Sequence, residues 1–167
     1  GLDKKKDERA VVVRENFNDV IEEAFRGLRT NIGFVLKPGE KVIMTTSCIP
    51  GEGKTFVAAN LAMSLALLGK KVIVVGLDIR KPRLVALFGL KPTKLGIVNF
   101  LCGSEPDYEL LESQIIPSGI HKNMDVLPAG IIPPNPAELL SGSMLKDAIK
   151  YLSSKYDYVL LDTPPVG

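Results

Sequence analysis

Four short apolar runs punctuate this chain: Val42 to Thr46, Val72 to Asp78, Met124 to Leu127, and Tyr158 to Asp162. Runs apolar on both alternating faces suit strands covered on both sides, which in a mixed sequence means a parallel sheet flanked by helices. Between them the period changes. Phe56 to Leu68 is helix-patterned and stops at Gly69 followed by two lysines, a good C-terminal signal. Leu84 to Phe88 predicts a short apolar helix, the stretch from there to about Gly119 a looser Gly/Pro-punctuated region, and Ala137 to Ser153 one helix. Upstream, Asn16 or Asn18 is placed to cap a first helix over about 16–36, with Ile21, Phe25, Leu28 and Ile32 as its buried stripe. Lys37-Pro38-Gly39 ends that arm. Residues 1–15 are expected to be a flexible arm and 16–167 one domain. The expected class is α/β with a mostly parallel sheet.

The turn after the first strand carries the candidate chemistry. Ser47-Cys48-Ile49-Pro50-Gly51-Glu52-Gly53-Lys54-Thr55 joins a strand to a helix, the context that a phosphate-binding P-loop requires. Gly51 and Gly53 let backbone N–H groups turn inward, and the helix N-terminus adds partial positive charge. Lys54 is placed for the β- and γ-phosphates, and the Thr55 hydroxyl for Mg²⁺. The first glycine of the usual pattern is replaced by Cys48. An ordinary glycine-rich turn would look similar, but two further runs end in carboxylates, Asp78 and Asp162. Ligands of such sheets bind beyond the carboxyl ends of the strands, so Lys54, Thr55, Asp78 and Asp162 converge on one edge as a Mg-nucleotide site. The nucleotide-binding set is Cys48, Ile49, Pro50, Gly51, Glu52, Gly53, Lys54, Thr55 and Phe56. The metal set is Thr55, Asp78 and Asp162.

Composition changes this picture little. The 167 residues, 46% hydrophobic, suit one domain with a sizeable core, and a net charge of +2 gives no reason to expect nucleic acid. Lys4, Lys5, Lys6 and Arg9 form a basic cluster, diluted by Asp3, Asp7 and Glu8. Two cysteines, Cys48 and Cys102, make no disulfide framework, which points to a reducing cytoplasmic setting. No signal peptide is evident, and the run from Phe56 to Leu68 reads as too short and too amphipathic to span a bilayer. His121, the single histidine, reads as a surface-loop residue. Pro133, Pro134 and Pro136 read as a rigid loop beside the active edge. Tyr151, Tyr156 and Tyr158 read as core or its border, with Tyr158 in the buried strand.

Three segments together resemble the bacterial tyrosine kinases, the cytoplasmic domains of capsular and exopolysaccharide chain-length regulators. They are Thr46 to Thr55, Leu77-Asp78-Ile79-Arg80-Lys81-Pro82, and Leu161-Asp162-Thr163-Pro164-Pro165-Val166-Gly167, matching that family's Walker A, A′ and B motifs in order. Glu23-x-x-Arg26-x-x-Arg29 matches its subunit-contact helix, although Glu22 and Arg26 could equally form an intrahelical pair. Pro133 to Leu140 resembles the segment before its last helix. The resemblance implies a P-loop NTPase fold with the four strands in the order 3-2-4-1, ATP or ADP with Mg²⁺, a ring-like homo-oligomer, and transfer of the γ-phosphoryl group to a tyrosine in the tail of a neighbouring copy. It also implies a membrane-spanning partner or domain of the export system at the inner membrane. Lys54, Asp78, Asp162 and Arg80 are the implied catalytic residues. Asp78 accepts the phenolic proton or holds the metal's water shell, and Arg80 meets the phosphates or a neighbouring carboxylate.

Two departures stand out. The family's A′ motif carries Asp-x-Asp, whereas here Gly76 precedes Asp78, so a carboxylate on the same side is missing. The family also continues past the Walker B motif into more sheet and helix and a tyrosine-rich tail. The septum-site and partition ATPases resemble the chain more distantly; their extra early lysine is Ile49 here. A switch ATPase of that kind, or a nucleotide-gated scaffold with little chemistry, is the alternative function.

Overall fold

The computed structural model describes residues 39–45, 53–78, 83–131 and 133–163, with backbone alone at 53, 54 and 136. Five strands form one sheet in the order β1-β5-β2-β4-β3. They are β1 (Val42–Thr45), β2 (Val72–Gly76), β3 (Ile116–Pro117), β4 (Met124–Leu127) and β5 (Tyr158–Asp162). The four strands expected from the apolar runs are parallel and in the expected order, with β2 between β4 and β5. The fifth was not expected. β3 is a two-residue antiparallel edge strand on β4, too short to leave a periodic signal.

Alternation along the strands explains the three layers. Val72, Val74, Met124, Val126 and Leu160 face one side, and Ile73, Val75, Leu127, Val159 and Leu161 the other. The first side is covered by α1 (Gly53–Leu67) and α2 (Leu84–Leu87), the second by α3 (Ile97–Leu101), α4 (Tyr108–Ser113) and α6 (Ser143–Lys155). The second layer corrects the sequence reading in two places. The region before Gly119 holds two helices, α3 and α4, each too short for a periodicity argument. Asp107 caps α4 by accepting from the Leu110 N–H at 3.1 Å. The helix expected over 137–153 is two, α5 (Pro136–Ser141) and α6, because Gly142 leaves the helical backbone with φ −82 and ψ 166. Pro136 therefore opens a helix, where its missing N–H costs nothing.

α1 also differs from its sequence reading. It is buried around most of its circumference, with Ala58, Ala59, Leu61, Ala62, Leu65 and Ala66 all nearly inaccessible, so it is not amphipathic. The four alanines let it lie close to the sheet, and Gly69 ends it in the left-handed conformation (φ 82) that glycine adopts without strain. Among the described residues no helix is long and apolar enough to cross a membrane.

The tyrosines settle the packing at the far end of the sheet. Tyr156 is the buried one, its hydroxyl donating to Asp125 Oδ2 at 2.7 Å, while Tyr158 and Tyr151 are half-buried. Burial, then the Asp125 hydrogen bond, push the Tyr156 phenol well above its ordinary value. Tyr151 donates to Glu112 Oε1 at 2.8 Å and stacks on Tyr108 at 4.7 Å between ring centroids. Lys155 also bonds Glu112, and this contact, followed by that from Tyr151, holds the Glu112 carboxyl below its usual range. His121 is half-buried in a turn, its Nδ1 accepting from the Asn123 N–H at 3.0 Å.

Candidate active site

The carboxyl ends of β1, β5 and β2 lie side by side, with Thr45 opposite Asp162 and Asp162 opposite Gly76. That register gathers residues distant in sequence at one edge. α1 begins at Gly53, directly over this edge, with no acidic residue in its first turn to occupy the N–H groups. Thr55 and Asp162 are both buried, at 3% and 2% exposure, and the Thr55 hydroxyl donates to Asp162 Oδ2 at 2.8 Å. A hydroxyl has one proton and two acceptor lone pairs. With its proton on Asp162, Thr55 keeps its lone pairs for a cation.

The strand ends are tied as well. Leu77 N–H donates to the Asp162 carbonyl at 2.9 Å, and Thr163 binds the Thr45 carbonyl through both its N–H (3.3 Å) and its hydroxyl (2.8 Å). Asp78 follows one residue beyond the Leu77 bond, half-buried. Among the described residues no group of three or more His, Cys, Asp or Glu forms a metal cage. A hydroxyl and two carboxylates fit Mg²⁺ instead, which keeps several waters and is held by one or two carboxylates plus substrate phosphates.

Asp78 and Asp162 border a cavity of about 210 Å³ lying over β2 and the exit of β4. Gly76, Leu84, Pro92 and Ala129 contribute to its walls, and Arg83 lines it too. Gly76 has no positive φ, so its backbone would accept any residue; what it gives is room. A Cβ there would stand 3.3 Å from the Ala129 nitrogen and 3.4 Å from Leu84 Cδ2. Positions 76 and 78 do line one space with Asp162, as strand alternation suggested. The cavity itself and the roles of Arg83, Pro92 and Ala129 in it were missed, because loops about forty residues apart build it. The proline-rich loop leaves from Gly130, on the cavity wall.

Of the sequence-predicted residues, Thr55, Asp78 and Asp162 are brought to this edge, and Phe56 sits half-buried in the first turn of α1. Gly53 and Lys54 open α1, with their side-chain positions not described. Cys48, Ile49, Pro50, Gly51, Glu52, Arg80, Glu23, Arg26 and Arg29 lie outside the described residues.

The AAA domain family matches residues 40–166, which span every strand and the whole edge just described. The solved kinase domain of VpsO is 33% identical, with a TM-score of 0.69 over 87% of this chain and 70% of that one. The chain belongs to the bacterial tyrosine-kinase family of P-loop domains. Tyrosine-protein kinase YwqD of Bacillus subtilis (strain 168) is 38% identical over 160 residues, covering 95% of this chain. The chain spans 65% of YwqD's length. The septum site-determining protein MinD of Pyrococcus horikoshii OT3, solved with Mg-ADP, shares the fold at 29% identity and a TM-score of 0.62, over 76% of this chain and 50% of its own. A protein of this fold is thus solved with Mg-nucleotide bound.

Proposed function

We propose that this domain is an ATP-dependent protein-tyrosine kinase that phosphorylates tyrosines in neighbouring copies of its own protein, at the cytoplasmic face of a membrane-bound polysaccharide export system. The buried Thr55–Asp162 hydrogen bond beside a cavity carrying a second carboxylate is the observation that supports it most directly. Mg²⁺, when bound, neutralises charge on the β- and γ-phosphates. Thr55 offers its lone pairs to that ion and Asp162 orients it, while Lys54 balances charge developing on the γ-phosphoryl group. In the transfer, the bond from the γ-phosphorus to the ADP oxygen breaks and a bond to the tyrosine oxygen forms. The phenolic proton goes to a carboxylate, and in this reading the acceptor is Asp78, which lines the cavity together with Asp162. A phenol has an ordinary pKa of about 10, so it needs such an acceptor near neutral pH. Arg80 serves the phosphates or a neighbouring carboxylate. Glu23, Arg26 and Arg29 serve contact between copies, which brings an acceptor tyrosine to each site.

Gly76, where a carboxylate is expected, favours a second reading, a nucleotide-gated scaffold with weak transfer. One experiment separates them. The full cytoplasmic protein is incubated with Mg-ATP, and phosphotyrosine and nucleotide affinity are measured for wild type, Lys54→Ala and Asp78→Asn. The kinase reading expects phosphotyrosine in wild type, weakened nucleotide binding in Lys54→Ala, and near-normal binding with little transfer in Asp78→Asn. Nucleotide binding without phosphotyrosine in wild type would establish the scaffold, and equal affinity in Lys54→Ala would overturn the site assignment.

A further inference from the structure

The cavity beside Asp78 and Asp162 opens between two loops, residues 90–96 ahead of α3 and 128–131 after β4. These loops are bound tightly together. Ile97 and Val98 N–H groups donate to the Pro128 and Ala129 carbonyls at 2.8 and 3.0 Å, and Ile131 N–H donates to the Lys94 carbonyl at 3.2 Å. Two glycines allow the crossing, since a Cβ on Gly96 would fall 2.3 Å from the Pro128 oxygen and one on Gly130 would fall 2.7 Å from the Gly96 nitrogen. The rim is thus a fixed surface.

Its chemistry differs from that of the cavity. Leu95 and Ile131 remain 53% and 65% exposed. Single exposed apolar residues are ordinary. These two are different because they lie on either side of one inter-loop hydrogen bond, within two residues of Thr93 and Gly130 in the cavity wall. Lys91 and Lys94 are exposed on the same loop, and neither forms an ion pair among the described residues. Neither loop contains an acidic residue. An apolar and basic stretch of rim therefore lies beside a cavity lined by two carboxylates and Arg83.

We propose that this rim is a docking surface for the peptide segment that carries the acceptor tyrosine, supplied by a second copy of the protein, and that it selects an apolar and an acidic residue beside that tyrosine. The proposal rests on the kinase reading above and adds the recognition chemistry. An extended peptide advances about 3.3 Å per residue. With one ring in the cavity, residues one or two places away fall on Leu95, Ile131 and the lysines. A cavity of about 210 Å³ has room for a phenol ring.

The test uses the full cytoplasmic protein and two single-tyrosine peptides, one flanked by Leu and Glu, the other by Ser and Lys. Wild type is expected to prefer the first by about tenfold in kcat/KM, the combined effect of a small apolar contact and two exposed charge pairs. Lys91→Glu with Lys94→Glu should abolish or reverse the charge preference, and Leu95→Ser with Ile131→Ser the apolar one, with KM for ATP unchanged in both. The same order should appear in anisotropy titrations of labelled peptides bearing Phe in place of Tyr. All four residues are exposed, so folding is not at stake, and a melting curve checks it. Equal use of both peptides by wild type, or an unchanged preference in the variants, overturns the docking proposal while leaving the kinase reading intact. No phosphotyrosine on any substrate overturns the kinase reading itself.

Discussion

Thr55→Val is the sharpest test of the site, because it keeps the side chain's shape and removes only the hydroxyl. Thr55 is 3% exposed and its hydroxyl meets Asp162 Oδ2 at 2.8 Å. Taking that donor from a buried carboxylate should cost about 1–3 kcal/mol, the range for a buried polar group that loses its partner. In a domain of this size each kcal/mol shifts the melting temperature by about 2–4 °C, so a fall of about 2–12 °C is expected without nucleotide. Thr55→Ser keeps the hydroxyl and loses one methyl, for a cost of about 1 kcal/mol. The functional part is read by adding Mg-ADP. A ligand at a hundred times its Kd stabilises the folded state by about 2.7 kcal/mol. Wild type and Thr55→Ser should show that gain and lose much of it when EDTA removes Mg²⁺. Thr55→Val should show a small gain that EDTA hardly changes, since the hydroxyl ligand is gone. The assay is thermal denaturation in four conditions: no addition, ADP, Mg-ADP, and Mg-ADP with EDTA. A Thr55→Val protein with the wild-type Mg-dependent gain would refute Thr55 as a metal ligand, and one as stable as wild type without nucleotide would refute the worth assigned to the Asp162 bond.

Three more expectations follow from the same reasoning. Gly76→Asp should raise the phosphotyrosine yield in the presence of Mg²⁺, by up to the about 10²–10⁴ that one acid–base group contributes, while lowering the melting temperature, because a Cβ there presses on the Ala129 backbone and Leu84. Robust wild-type activity with no gain would mean that Asp78 suffices. Arg26→Ala with Arg29→Ala should reduce self-association by light scattering, and an unchanged oligomer would leave those arginines to local helix pairing. Tyr156→Phe should lose about 1 kcal/mol with the Asp125 hydrogen bond. It should also flatten the alkaline limb of stability. The folded phenol's pKa is raised, so its contribution is full below about pH 10 and is lost as pH climbs through the folded value. Urea melts between pH 8 and 11.5 that superimpose in slope for wild type and Tyr156→Phe would contradict this.

The chain's local pattern determined a good deal. Apolar runs placed four strands of a parallel sheet, because a strand covered on both faces must be apolar at every position, and that is visible without any partner; their order rested on the family resemblance. Gly69 with its lysines placed the end of α1 to within a residue or two. Thr55 and Asp162 were legible as partners only because each sits at a strand or helix end next to a recognisable motif. Tertiary structure decided the rest. α3 and α4, of five and six residues, are too short to establish a period and exist because they cover the second face of the sheet. The break at Gly142 is a change of backbone conformation inside a sequence that reads as helical throughout. α1 read as amphipathic from its sequence, yet packing buries it around most of its circumference. The cavity had no sequence signal at all. Its walls come from β2, α2 and two loops about forty residues apart, and only the hydrogen bonds of Ile97, Val98 and Ile131 across those loops bring Pro92 and Ala129 to the edge where Asp78 and Asp162 stand. Patterns within a dozen residues report which faces are buried. They carry no information about which distant loops will meet, since that contact is set by the length of the strands and the close approach of Gly96 and Gly130.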